Sequence, residues 1–377
     1  MDYLIYFDNS STTKPCETAI KYINDSLNNF WGNPSSLHTL GMFSEEKINQ
    51  ARGCIAKSIN ALTEEIFFTG SGTEANNIAI LGAANALKRR GNRIVTTAIE
   101  HPSVLNAIKN LEQNGFEVVY LKPDKYGVID PQELTNAINK NTILVSIMLV
   151  NNELGSIEPI TQAANAIKQA NAPALLHTDA VQAFGKLPIN VKTLGVDLLS
   201  ASGHKIHGPK GIGFLYKSKK ANILSPVFGG GQELGVRSGT QPTPAIMGLM
   251  GAVLELQNLN EHLNEINNLK QYCISKLQDF CSINSGPDSL PYILNVSVTG
   301  YKSETILHFL ESKNIFVSSG SACAKGKKSH VLLSCGLNNK QIDSSIRISF
   351  SRFNTKKEID ALCNALQDAC NTLRKAY

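Results

Sequence analysis

At 377 residues the chain is longer than a single hydrophobic core usually supports, which points to one large domain with a smaller appendage. A hydrophobic share of 42% beside 18% charged residues excludes a disordered chain, and a net charge of +5 gathered in no tail makes no case for nucleic acid or a membrane surface as partner. The start, Met1-Asp2-Tyr3-Leu4-Ile5-Tyr6-Phe7-Asp8, lacks the pattern of a secretory signal, and no apolar run approaches the roughly 20 residues of a membrane helix, so a cytoplasmic protein is expected.

In chain order, 47–60 reads as helix, 66–69 as strand, 74–90 as helix and 93–97 as strand. A helix over 103–114 leads into a strand at 117–120, and a helix near 131–139 precedes the apolar strand 143–150. Helix 160–170 then leads to strand 175–179. Strands apolar on both faces, separated by helices, predict an α/β domain with a mostly parallel sheet covered on both sides. From about Pro244 to Phe280, Leu256, Leu259, Leu263, Ile266, Cys273 and Leu277 form a one-sided stripe, predicting one long helix that bridges two domains. Strands at 293–298 and 346–350 and helices from Ser303 and Lys356 complete a smaller α+β domain, which the first residues join. The expected division is 16–255 for the large domain and 1–15 with 256–377 for the small one.

The loop Gly70-Ser71-Gly72-Thr73 follows a strand and opens a helix, a setting that favours an anion; a plain tight turn is the alternative. His101, Asn152 and Asp179 each follow a strand, where a parallel sheet presents its ligand crevice, although a helix cap would also explain each residue alone. Lys205 lies in Ser200-Ala201-Ser202-Gly203-His204-Lys205, after the apolar run 196–199. A desolvated lysine forms Schiff bases readily. An anion cradle, an acid and such a lysine together suggest a phosphorylated aldehyde cofactor, pyridoxal phosphate. The eight cysteines, Cys16, Cys54, Cys273, Cys281, Cys323, Cys335, Cys363 and Cys370, contain no CxxC pair and resemble neither a disulfide framework nor a metal site. Cys323 stands apart, among small, polar and basic residues that describe an exposed loop, with lysines nearby to favour the thiolate.

These segments resemble the cysteine desulfurases, pyridoxal-phosphate enzymes related to class V aminotransferases. The resemblance covers FDNSSTT (7–13), GNPSSLH (32–38), FTGSGTEANN (68–77), EHPSVL (100–105) and NNELGSIEPI (151–160). It continues through HTDAVQAFGK (177–186), SASGHKIHGPKGIGFLY (200–216), GGGQELGVRSGT (229–240), SSGSACAKGKKSHVL (318–332) and RISFSRFNT (347–355). It implies the type I fold of pyridoxal-phosphate transferases and a reaction that takes sulfur from L-cysteine, leaving L-alanine and a persulfide on Cys323. It further implies that Lys205 carries the cofactor, Asp179 pairs with its ring nitrogen and His101 stacks on the ring and shuttles protons. Asn152 and Gln182 would contact the ring hydroxyl side. Gly72 and Thr73, with Ser202 and His204, would bind phosphate, joined by Thr240 from a neighbouring subunit, hence a homodimer. Arg352, assisted by Asn33, would hold the substrate carboxylate. No metal is implied. The acceptor would be an iron–sulfur scaffold, a tRNA-thiolation enzyme or a thiamin-pathway carrier.

Two features depart from the family pattern. The stretch between Cys323 and His330 is short and lysine-rich, where the housekeeping members are more polar or acidic, and the Arg-x-Gly-His-type segment of the second desulfurase group is missing. The chain therefore falls with the first group. A selenocysteine lyase or other cysteine-cleaving lyase, an aminotransferase that leaves Cys323 without a role, and a non-catalytic sulfur-trafficking scaffold are the competing readings.

Overall fold

The structure, a computed structural model, describes residues 4–319 and 328–376; the expected acceptor Cys323 lies outside them. A seven-stranded sheet forms the centre, with Ile66–Thr69 at one edge, then Gly213–Lys217, Leu198–Ser202, Leu175–Asp179, Thr142–Ser146 and Arg93–Thr97, and Glu117–Leu121 at the other edge. The five strands from 198–202 to 117–121 are mutually parallel. Gly213–Lys217, to which the sequence reading assigned no strand, runs antiparallel to both of its neighbours. Thr142–Ser146 and Leu198–Ser202 are buried along their whole length, as strands covered on both faces must be. One apolar cluster, with Ala75, Ile78 and Ile108, covers one face, and another, with Val145, Leu176 and Leu249, covers the second. The second cluster runs on into Ile293, Val296 and Ile348 of a smaller sheet without interruption.

That smaller sheet is antiparallel and has the order Ser318–Ser319, Ser345–Ser349, Ile293–Ser297, Ser282–Ile283. The chain start lies against this region: Ile5–Tyr6 pairs in parallel with Ile315–Phe316, and Asp8 bridges Ser349. Residues 9–13 then cross to the large sheet, where the Thr13 N–H donates to the His204 carbonyl at 2.9 Å.

The expected single helix from 244 to 280 is instead two, Thr243–Leu254 and Leu259–Leu277. The chain leaves the first at Glu255 and enters the second through Asn258, which adopts a left-handed φ of 60°. The two helices differ in environment. The first buries most of its residues, whereas the second buries only the stripe of Ile266, Lys270, Cys273 and Leu277. The apolar spacing continues across the break and hides it in the sequence. No helix among the described residues is long and apolar enough to cross a membrane.

Because Asn tolerates the left-handed region and β-branched residues do not, Asn258→Ile is expected to cost about 1–2 kcal/mol of stability. Asn258→Gly should change it little; urea denaturation of the two variants measures both effects.

Candidate active site

The parallel strands end at one rim, and the residues that follow them enclose a cavity of about 320 Å³. Its position follows from topology, since a parallel sheet brings the carboxyl ends of its strands, and the loops after them, to the same side. The antiparallel return of Gly213–Lys217 adds the turn 203–212, which carries Lys205, to that rim. Gly213 pairs with both Thr69 and Ser202. A methyl group there would stand 2.5 Å from the Ala201 carbonyl oxygen and 2.8 Å from the Ser71 carbonyl carbon. Glycine at this position therefore lets the 69–72 loop lie directly against the strand that leads to Lys205.

One wall is the N-terminus of helix Gly72–Leu87. The Ser71 hydroxyl accepts from the Glu74 N–H, and the Ser71 carbonyl takes the Ala75 N–H. The Gly72 and Thr73 N–H groups at the cavity wall thus belong to the unsatisfied first turn of a helix, which suits an anion. Ser202 and His204 line the same cavity. Burial pushes the His204 ring down to about 4, with Lys205, Lys210 and Lys186 adding repulsion, so the ring is neutral, and its Nδ1 lies 3.2 Å from the Thr12 hydroxyl.

Asp179 ends the central strand Leu175–Asp179, and both of its oxygens are engaged: Oδ2 accepts from Asn76 Nδ2 at 2.7 Å and Oδ1 from the Val181 N–H at 2.9 Å. The carboxylate is thereby fixed in direction while it lines the cavity. His101 precedes helix Pro102–Gln113, and its Nδ1 accepts from the Ser103 N–H at 3.1 Å. In a neutral ring the proton therefore sits on Nε2. Burial lowers its proton affinity; Lys205 and His330 lower it further, against the pull of Asp179. Behind it, Glu100 is fully buried and its carboxyl is raised well above the ordinary range by that burial. Its Oε1 accepts from the Met148 N–H at 2.9 Å and the Thr97 hydroxyl at 2.8 Å, linking two strand ends.

Lys205 donates from Nζ to the carbonyl oxygens of Ser10 at 2.6 Å and Ser11 at 2.7 Å. Gln182 also reaches the Ser10 carbonyl, through Nε2 at 2.9 Å. Asn152 lines the cavity, and its backbone carbonyl accepts from Arg347 Nη1 at 2.9 Å.

Three expected residues stand elsewhere. Arg352 lies in a small adjoining cavity that Lys205 also lines, and its guanidinium is paired with the Glu255 carboxylate. Asn33 is exposed on the loop after the first helix, where its side chain accepts from the Ser35 N–H. Thr240 is exposed and does not line the cavity of its own chain.

Sequence reasoning assigned no role to Arg347, yet it braces the site: its Nη2 contacts Asp8 Oδ1 at 3.0 Å and the Ser11 hydroxyl at 2.6 Å. An arginine inside the apolar strand Ser345–Ser349 was the available signal. Glu153, also missed, accepts from the Ser329 hydroxyl at 2.6 Å and so anchors the cap of helix His330–Ser334. The other cysteines keep away from the cavity. Burial raises Cys335 and Cys281 to about 12, and Cys273 lies beside Cys363 in the core.

Burial also raises the Glu153 carboxyl to about 7, against the opposing influence of Ser329 and Arg347. Folded Glu153 thus keeps its proton to about pH 7, while the unfolded chain releases it near 4.5, the ordinary value. The native state then binds more protons in this window, so this contribution to stability falls as pH rises from about 4.5 to about 7. Glu153→Gln is expected to make that decline shallower, measured by urea denaturation across the interval.

The sequence matches the aminotransferase class-V family over residues 5–362. It is 40% identical over 375 residues to the cysteine desulfurase IscS of Clostridium botulinum, which covers 97% of this chain and 94% of that relative. The structure superposes on a NifS-like protein with a TM-score of 0.93 at 34% identity, covering 98% of this chain and all of the other. A structure described as SspA in complex with cysteine gives a TM-score of 0.81 at 35% identity, covering 93% of this chain and all of the other.

Proposed function

The chain belongs to the aminotransferase class-V family, among its cysteine desulfurases, and we propose that it takes sulfur from L-cysteine, releases L-alanine and holds the sulfur as a persulfide on Cys323. The observation that carries this reading is the convergence of Lys205, Asp179 and His101 on one cavity walled by a helix N-terminus. That donor set fits pyridoxal 5'-phosphate. Thr73, Gly72, Ser202 and His204 suit its phosphate, Asp179 its protonated ring nitrogen, His101 its ring face, and Asn152 and Gln182 its hydroxyl oxygen. When bound, the cofactor supplies an electron sink for the carbon skeleton of the amino acid.

The protein groups then divide the work. Asp179, pinned by Asn76, would hold the proton on the ring nitrogen in a fixed direction. Lys205 would hold the cofactor and, once its amine is free, would move the Cα proton. Arg352, once it exchanges Glu255 for substrate and with Asn33 assisting, would take the substrate carboxylate through a paired set of N–H donors, a geometry lysine cannot match. The Cys323 thiolate attacks the substrate sulfur; the carbon–sulfur bond breaks, and proton return at carbon gives alanine. His101, neutral and with its proton on Nε2, is suited to relay that proton.

The working unit is a homodimer in which Thr240 completes the phosphate site of the partner. Support comes from exposed apolar side chains on the same stretch, Phe228 at 92% and Leu234 at 83% exposure, which a second copy would cover. The persulfide passes to an acceptor protein, an iron–sulfur scaffold or an enzyme of tRNA thiolation or thiamin assembly.

Protein supplied with pyridoxal phosphate should take on visible absorbance and convert cysteine to alanine and, with a reductant, sulfide. Cys323→Ala is expected to keep the colour and bind cysteine without releasing sulfide, and Lys205→Ala to lose both the native spectrum and turnover. Full sulfide release by Cys323→Ala would end the persulfide assignment. Arg352→Ala is expected to weaken cysteine binding by roughly 2–5 kcal/mol, the cost of removing one partner of a buried charge pair; an unchanged affinity, read by spectral titration, removes Arg352 from the site.

A further inference from the structure

A second lysine lies behind the first. Lys186 is 5% exposed and has no salt-bridge partner among the described residues. A buried ammonium is costly, so its retention calls for a contact worth the desolvation. Its Nζ donates to Gln182 Oε1 at 3.0 Å, four residues back along the turn. Gln182 Nε2 donates to the Ser10 carbonyl at 2.9 Å, and Lys205 Nζ donates to that same carbonyl at 2.6 Å. A continuous line of hydrogen bonds therefore runs from Lys186 through Gln182 and Ser10 to Lys205.

A side-chain amide can turn over, exchanging its oxygen and nitrogen. With Oε1 held by Lys186, the amide of Gln182 can present only N–H to the cavity that it lines. We propose that Lys186 is a positioning residue that fixes Gln182 as a donor toward the hydroxyl oxygen of the cofactor, and thereby sets the proton affinity of the Lys205 nitrogen. This rests on the reading above that Lys205 carries pyridoxal phosphate with Gln182 on the hydroxyl side.

The surroundings of Lys186 are mainly basic. Lys205, Arg352, His207 and His262 line the same small cavity, together with the Tyr292 ring, whose centroid is 5.9 Å from Nζ. Arg347 also acts on it from the neighbouring strand. The acids beside the two arginines, Glu255 and Asp8, are occupied by Arg352 and Arg347. Burial, then Lys205 and Arg347, bring Lys186 down to about 7. Protonated or neutral, its nitrogen keeps an N–H for Gln182, so the amide stays oriented in both states.

The sign of the effect follows from charge. A donor to the hydroxyl oxygen and a cation nearby both favour the form of the chromophore with one proton fewer. Removing them should raise the pH midpoint of its visible absorbance change. The test compares wild type, Lys186→Met, Gln182→Leu and the double variant, each reconstituted with pyridoxal phosphate and titrated spectrophotometrically, with thermal unfolding in parallel. Lys186→Met is expected to raise the midpoint by roughly one pH unit, and the double variant to raise it by less than the sum of the two single variants, because Lys186 acts in part through Gln182. A Lys186→Met midpoint equal to wild type overturns the proposal, whatever happens to thermal stability, and so does additivity in the double variant. Should Lys186→Met fail to fold, Lys186→Gln, which keeps an N–H for Gln182 Oε1, must hold the midpoint nearer to wild type than Gln182→Leu does; a midpoint equal to that of Gln182→Leu overturns the proposal. Wild type that stays colourless with added cofactor rejects the functional reading itself, an outcome distinct from either of these.

Discussion

Lys205 ends in an ammonium group held by two peptide carbonyls, those of Ser10 and Ser11. Those carbonyls come from a segment nearly two hundred residues away, and they must be delivered accurately for the contact to form. Ser349 does much of that work, accepting from the Asn9 side chain and from the Ser10 N–H. Arg347, two positions earlier on the same strand, holds Asp8 and Ser11 with one nitrogen and the Asn152 carbonyl with another. The first residues of the chain, the small sheet and the rim of the large sheet are thus bound into one polar frame around a single amine.

The frame sits on a sheet whose centre contains polar groups with matched partners. His177 lies fully buried between the Ser146 and Ser200 hydroxyls, at 2.9 and 3.0 Å, so three adjacent strands are joined by side chains as well as by backbone. Burial lowers this ring to about 3, which keeps it neutral and spares the core a charge. Nearer the rim, Glu100 Oε1 ties strand ends together, whereas its buried Oε2 has no hydrogen-bond partner among the described residues. Buried polar groups cost little once hydrogen-bonded and much when not, and a matched set favours one register of the strands.

Much of this site was legible in the sequence because strand ends announce themselves. Gly72, His101, Asp179 and Lys205 each follow an apolar run, and a parallel sheet can only bring such positions together. What escaped notice acts through groups without a sequence signature. A carbonyl of Ser10 looks like any other carbonyl, and Lys186 reads as an ordinary charged residue until its burial is known. The break at Asn258 was hidden because the apolar stripe keeps step across it. Arg352, Asn33 and Thr240 were named from resemblance alone, and they lie at the edge of the site or on exposed loops, where single-chain topology exerts the least control.

The cysteines of the described residues form a chemically quiet background. Cys16, Cys54, Cys273, Cys281, Cys335 and Cys370 all have thiols raised above their ordinary range, chiefly by burial or, for the free thiol of Cys273, by its hydrogen bond with Cys363. Cys363, lowered by that same hydrogen bond, is 5% exposed. Electrophiles and peroxides react with thiolate, so at neutral pH these positions resist alkylation and oxidation alike. For a chain assigned to sulfur handling, that reticence keeps stray thiols from intercepting the cargo, and it leaves native-state labelling with few competing targets.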